Sequence, residues 1–171
     1  MQQSVMAILT VTEIFDNLTK TQLELVASLC EQAVYDKGQV LLEENESTDE
    51  LYVIGRGGVE VLMSPGFVGE DKADLDIAPV LLTELRQGQA FGEVALVDQG
   101  IRSATVRVSQ DNTHLLRIPR ERLMLLCDTY PDLGYKLMKN LAADLAFKIR
   151  NTDLTVRQYQ LMLSHSKKAS L

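Results

Sequence analysis

Histidine is scarce in this chain, with 2 in 171 residues, His114 and His165. A catalytic metal centre built from two or three imidazoles and a carboxylate has too few ligands to form. Cysteine is as scarce, with 2 residues far apart in sequence. Cys30 and Cys127 each close an apolar run (Leu25 to Cys30, Leu123 to Cys127), so the expectation is two buried free thiols rather than a disulfide. There is no cationic excess: the formal net charge is −7 and the pI is near 4.8. That argues against a nucleic-acid surface while leaving room for a local basic site holding one small anion. No basic residue precedes the apolar stretch Val5–Leu9, and no run approaches membrane-spanning length, so the expected location is the cytoplasm with no membrane contact. A nucleophile elbow, a Cys/His pair and a phosphate loop ending in Gly-Lys-Ser/Thr are all missing, and no enzyme chemistry is expected.

What is present is a globular composition, 46% hydrophobic and 24% charged, in a length that suits one domain with a real core. Thr19-Lys20-Thr21-Gln22 reads as a capping box, and Leu23, Val26, Ala27 and Cys30 follow at helical spacing. Ile14–Leu18 forms a short segment ahead of that helix. From Tyr35 the period changes. Val40–Leu42, Leu51–Ile54, Val59–Met63, Val80–Leu85, Thr105–Val108 and His114–Ile118 read as short strands, the second ended by Gly55-Arg56-Gly57-Gly58. Regular glycine-bearing turns between short strands indicate an antiparallel roll or barrel. Ser64 to Pro79 is a longer acidic loop with Glu70, Asp71, Asp74 and Asp76. Its spacing lacks the alternating ladder and closing glutamate of a calcium loop, so it reads as a solvated hairpin tip.

Pro119 opens a helix, Asp128–Asp132 interrupts it, and a long helical run begins at Pro131, where proline is tolerated. Tyr135, Met138, Ala142, Leu145, Ile149, Thr152, Val156, Tyr159 and Leu163 recur at alternating three- and four-residue steps, a seam of about four heptads. Leu137 and Leu141 form a second row that faces the roll. The part of the seam beyond Asn151 has little chain left to cover it, so a parallel homodimer through this helix is expected. The expected division is residues 1–34 as an N-terminal helical segment, 35–118 as the roll and 119–171 as C-terminal helices.

The chemistry is concentrated in Phe91-Gly92-Glu93-Val94-Ala95-Leu96, followed by Arg102-Ser103-Ala104-Thr105-Val106. Glycine at a tight turn lets backbone N–H groups approach an anion without a Cβ in the way. Arg102 supplies a guanidinium suited to paired bonds with a phosphate. Glu93, ionised, only accepts, which suits a ligand hydroxyl. Ser103 and the N–H of Ala104 can complete the oxygen shell. The bland alternative is a surface ion pair between Glu93 and Arg102 across a turn.

The two stretches together resemble the phosphate-binding cassette of the cyclic-nucleotide-binding domain, the family of catabolite activator proteins and protein kinase A regulatory subunits. The pattern apolar-Gly-Glu-x-small-apolar, a gap, then Arg-small-Ala-x-apolar is met at every position. The resemblance covers about Ile14 to Asn151. It implies an α+β fold: a jelly-roll-like antiparallel β-roll with a flanking N-terminal helix, a phosphate-binding cassette at 91–106 that contains a short helix, and a long C-terminal helix. It implies no cofactor, but a ligand, cyclic AMP as first choice and cyclic GMP as second, held by Phe91, Gly92, Glu93, Val94, Ala95, Arg102, Ser103 and Ala104. Val59, Leu82 and Leu85 are expected under the base, with Lys148 and Thr152 near its edge. In the family's upstream loop, glycine usually stands where this chain has Asn45, and asparagine tolerates the left-handed conformation such a turn needs. Signalling is expected to run through the C-terminal helix to a separate, unidentified protein. Two other readings remain open: a dimeric adaptor with a ligand-silent fold, and the sensor part of a transcription regulator without its DNA-binding domain. No element for a DNA groove is visible, and no DNA contact is expected.

Overall fold

The structure, a computed structural model, describes residues 4–64, 78–98 and 101–169. The acidic stretch with Glu70, Asp71, Asp74 and Asp76 lies outside the described residues. The side chains of Tyr159, Leu163, His165, Lys167 and Lys168 also lie outside those described.

Among the described residues, eight strands form two antiparallel four-stranded sheets. β1 (Glu31–Tyr35), β8 (Thr113–Pro119), β3 (Glu50–Arg56) and β6 (Ala90–Phe91) lie in that order in one. β2 (Val40–Leu42), β7 (Thr105–Val108), β4 (Gly58–Met63) and β5 (Val80–Arg86) lie in that order in the other. The alternation of side chains along a strand explains why β3 is apolar almost throughout. Leu51 and Val53 face the helices, whereas Tyr52 and Ile54 face the roll interior with Leu42, Val59, Leu85, Phe91, Val106 and Leu115. The ring of Tyr52 stacks on that of Phe91, 5.0 Å away and 4° from parallel, in register across β3 and β6.

The helices cover the outer face of the first sheet. α1 (Val5–Thr10), a 3-10 turn at Glu13–Phe15, α2 (Lys20–Ala27), α4 (Arg120–Thr129) and α5 (Pro131–Ala169) surround one apolar cluster. Thr19 caps α2 as its spacing predicts: its hydroxyl accepts from Gln22 N–H, and the Gln22 side chain accepts from Thr19 N–H. The row on α5 that was expected to face the roll does so, with Leu137 and Leu141 at 2% exposure or less, and Leu133, which was not foreseen, extends it. The seam residues Tyr135, Ile149 and Val156 are exposed, and Met138 and Leu145 pack on the core.

Three boundaries differ from expectation. β1 starts at Glu31, inside the segment expected to be helical, because α2 ends at Ala27. α1 was not foreseen, since six residues show too little periodicity. β3 runs through Gly55 rather than stopping there. A Cβ at Gly55 would lie 2.5 Å from Ile8 Cδ1, so this glycine admits α1 onto the sheet instead of making a turn.

Candidate functional site

The cassette occupies the end of the roll between β6 and β7. Gly92 follows β6 with φ +81, a left-handed turn that delivers the chain into the short helix α3 (Val94–Asp98). The glycine is also required by proximity: a Cβ there would sit 2.6 Å from the Glu50 carbonyl and 2.9 Å from an Arg102 terminal nitrogen.

Arg102 is only 5% exposed, and no carboxylate pairs with it among the described residues. Its Nε–H donates to Thr48 Oγ1 at 2.8 Å, and its two terminal nitrogens donate to the carbonyls of Gly92 at 3.2 Å and Glu50 at 3.0 Å. Burial pulls the guanidinium below its ordinary pKa, against Tyr52, Glu50, Asp49 and Glu93, which act the other way. Neutral acceptors thus fix its orientation and leave its charge uncompensated by contact. With three of its five N–H groups engaged, it keeps donors for an anion. The Arg102 backbone is tied as well: its carbonyl accepts from Asn45 N–H and its N–H donates to the Glu46 carbonyl, both at 2.8 Å. Asn45 takes φ 72, so asparagine supplies the left-handed turn of this loop.

These groups line a cavity of about 210 Å³. Phe91, Gly92, Glu93, Val94, Ala95, Arg102, Ser103 and Ala104 all contribute to its wall, as do Leu85 and Lys148. Glu93 is 5% exposed, and its carboxylate takes a 2.8 Å bond from Lys148 Nζ, which reaches in from α5 and also lies 2.9 Å from Asp144. Burial pulls the Lys148 ammonium down, but Glu93 and Asp144 outweigh it and hold it above its ordinary value.

A family model described as the cyclic nucleotide-binding domain matches residues 32–130. The chain belongs to the cyclic nucleotide-binding domain family. Curated relatives include cGMP-dependent protein kinase 2 of Homo sapiens, 29% identical over 129 residues, which are 75% of this chain and 16% of the kinase. The cyclic AMP receptor protein of Thermus thermophilus is 29% identical over 141 residues, 82% of this chain and 59% of the receptor. The crystal structure of the Thermus thermophilus catabolite activator protein superposes with a TM-score of 0.70 at 27% identity, covering 87% of this chain and 63% of that one. The chain therefore spans less than two thirds of the length of these relatives. Its β-roll and long C-terminal helix are those of the family, which is a regulatory ligand-binding domain.

Three of the expected residues of this cyclic nucleotide-binding domain fall away from the cavity. Leu82 is half exposed on the opposite face of β5: Thr83 and Leu85 oppose Val61 and Val59 in register, and an odd step from Leu85 cannot share its face. Val59 is on the correct face but fully buried in the interior cluster, beneath the lining residues. Thr152 is exposed, and its hydroxyl turns back to the Lys148 carbonyl at 3.0 Å. In their place the aliphatic wall consists of Leu42, Val61, Val106 and Ile101, with Thr83 beside them. The signal that could have found them is strand pairing. Val61 lies opposite both Thr83 and Val106, and Val106 lies opposite Leu42. The bland alternative, a surface ion pair between Glu93 and Arg102, does not form; both side chains are buried, and Glu93 pairs with Lys148 instead. Among the described residues, no cluster could hold a metal ion, and no helix is long and apolar enough to cross a membrane.

Proposed function

We propose that this chain is a receptor for a cyclic purine nucleotide, cyclic AMP first and cyclic GMP second, and acts by binding rather than catalysis. The observation that carries this reading is Arg102, a buried cation without a carboxylate partner among the described residues, beside a cavity that also presents Glu93. Arg102 holds the cyclic phosphate, Glu93 accepts the ribose hydroxyl, and Ser103 and the Ala104 N–H complete the oxygen shell. The base lies on the aliphatic wall with Leu85. The relatives' names specify both nucleotides, cyclic AMP for the Thermus thermophilus receptor and cyclic GMP for the human kinase, and the titration below decides between them.

The signal leaves through α5. Its exposed apolar residues Tyr135, Ile149 and Val156 support a parallel pairing with a second copy, which then presents a changed surface to a separate downstream protein. Ile149→Glu should convert that dimer to a monomer in sedimentation.

Calorimetric titration with cyclic AMP and, separately, cyclic GMP tests the receptor. The expected result is micromolar or tighter binding, weakened about a hundredfold in Arg102→Ala, which corresponds to roughly 3 kcal/mol. No heat and no thermal shift with either nucleotide overturns it. A second reading, a dimeric adaptor whose fold is ligand-silent, is favoured by the Lys148 ammonium already bonded to Glu93. The same titration separates the two.

A further inference from the structure

A cavity intended for a sugar phosphate has its hydroxyl acceptor already in use. Lys148 is the hydrogen-bond partner of the Glu93 carboxylate among the described residues, and the Glu93 side chain is only 7% exposed. The remaining cavity, about 210 Å³, is below the roughly 300 Å³ at which small-molecule pockets begin. A second cavity of about 150 Å³ shares this lysine and is lined by Glu13, Gln87, Gln89 and Asp144 together with the apolar Val11 and Ile14. Lys148 lines both.

We propose that Lys148 is the resident occupant of the nucleotide site, and that a ligand's 2′-hydroxyl takes Glu93 by displacing the ammonium into the neighbouring polar cavity. The inference rests on the receptor reading above. Displacement leaves no stranded charge. Asp144 sits one turn before Lys148 on the same helix, at 2.9 Å, and moves with it, so the cation retains a carboxylate partner. The four-carbon stem of lysine reaches either cavity by rotamer change. The Glu93 carboxylate exchanges an ammonium donor for a hydroxyl donor and remains hydrogen-bonded.

The direction of coupling follows. With the site empty, an ion pair ties α5 to the cassette; with the site filled, that tie is gone. Whatever draws the Lys148 side chain off Glu93 raises nucleotide affinity, because coupling between two equilibria is reciprocal. Lys148 thereby sets the affinity, while the buried row Leu133, Leu137 and Leu141 seats the helix.

Three versions of the 171-residue chain test this: wild type, Lys148→Met and Asp144→Asn. Each is titrated with the cyclic nucleotide that binds and with its 2′-deoxy analogue. Amide hydrogen exchange along α5 is followed in the free proteins. Lys148→Met should bind the nucleotide about three- to tenfold more tightly, the scale of one partly exposed ion pair. It should gain nothing for the deoxy analogue, and α5 should exchange faster near position 148. Asp144→Asn, which leaves Glu93 as the lysine's carboxylate, should bind the nucleotide more weakly. Unchanged or weaker nucleotide binding by Lys148→Met overturns the displacement, because the lysine is then a bystander or a ligand contact. Faster exchange in Lys148→Met with no nucleotide bound by any of the proteins overturns the receptor reading, and the displacement with it.

Discussion

The Nε–H of Arg102 donates to the Thr48 hydroxyl at 2.8 Å, joining residues 54 positions apart. Thr48 fixes one edge of the guanidinium, and the Glu50 and Gly92 carbonyls fix the other. Thr48→Val keeps the shape and removes the acceptor. An unsatisfied buried donor costs about 1–3 kcal/mol, which urea unfolding will report. Loss of the aim should also weaken nucleotide binding about tenfold. Thr48→Ser should restore most of both.

Gly92→Ala puts a Cβ against the Glu50 carbonyl at 2.6 Å and Arg102 at 2.9 Å, at a backbone angle that L-residues avoid. The left-handed angle alone costs about 1–2 kcal/mol, and the contacts add to it. The variant should unfold at lower urea and lose nucleotide binding, since its relief is to push Arg102 out of place.

Asn45 also has a positive φ, 72, but it is exposed and its amide bonds to the Arg102 carbonyl. Asn45→Gly should therefore leave stability within about 0.5 kcal/mol of wild type, whereas Asn45→Ala should lose about 1 kcal/mol. Equal values for the two would show that φ is not what asparagine supplies.

Burial pushes the Cys30 thiol from its ordinary 9.0 up to about 12 and raises Cys127 as well. At pH 8 the thiolate of Cys30 is then about one part in ten thousand, against about one in ten for a free thiol. Neither cysteine should react with an aromatic disulfide reagent until the protein unfolds. Because the folded value is raised, the neutral thiol's contribution to stability is complete below pH 9.0 and is lost as pH rises toward 12. The unfolding midpoint should fall over that alkaline range.

The cassette was legible because its chemistry is local: Gly92, Glu93 and Ala95 sit on one turn, and Arg102 to Ala104 follow after a short gap. The capping box and the pair Leu137 and Leu141 were legible for the same reason, since helical spacing is contained in a few residues. The aliphatic wall was not. Leu42, Val61, Thr83 and Val106 come from four strands, and only the register of β2, β7, β4 and β5 brings them together. Leu82 was misplaced because an unbroken apolar run, Val80-Leu81-Leu82, hides which face is which. Lys148 was placed near the ligand, but its bond to Glu93 across 55 residues depends on where α5 lies against the roll.

The cavity's two sides have separate origins in the chain. Gly92, Glu93, Arg102, Ser103 and Ala104 come from one stretch of the chain, Lys148 reaches in from α5, and most of the aliphatic side comes from the β2-β7-β4-β5 sheet. The two are bonded to different scaffolds: Arg102 to the Asn45–Glu50 loop, the sheet residues to one another. Changes to the sheet side can therefore accumulate without loosening the hold on Arg102. A fold organised in this way can alter the aliphatic face of its cavity by drift at Thr83 or Val61 while the Arg102 cradle stays intact.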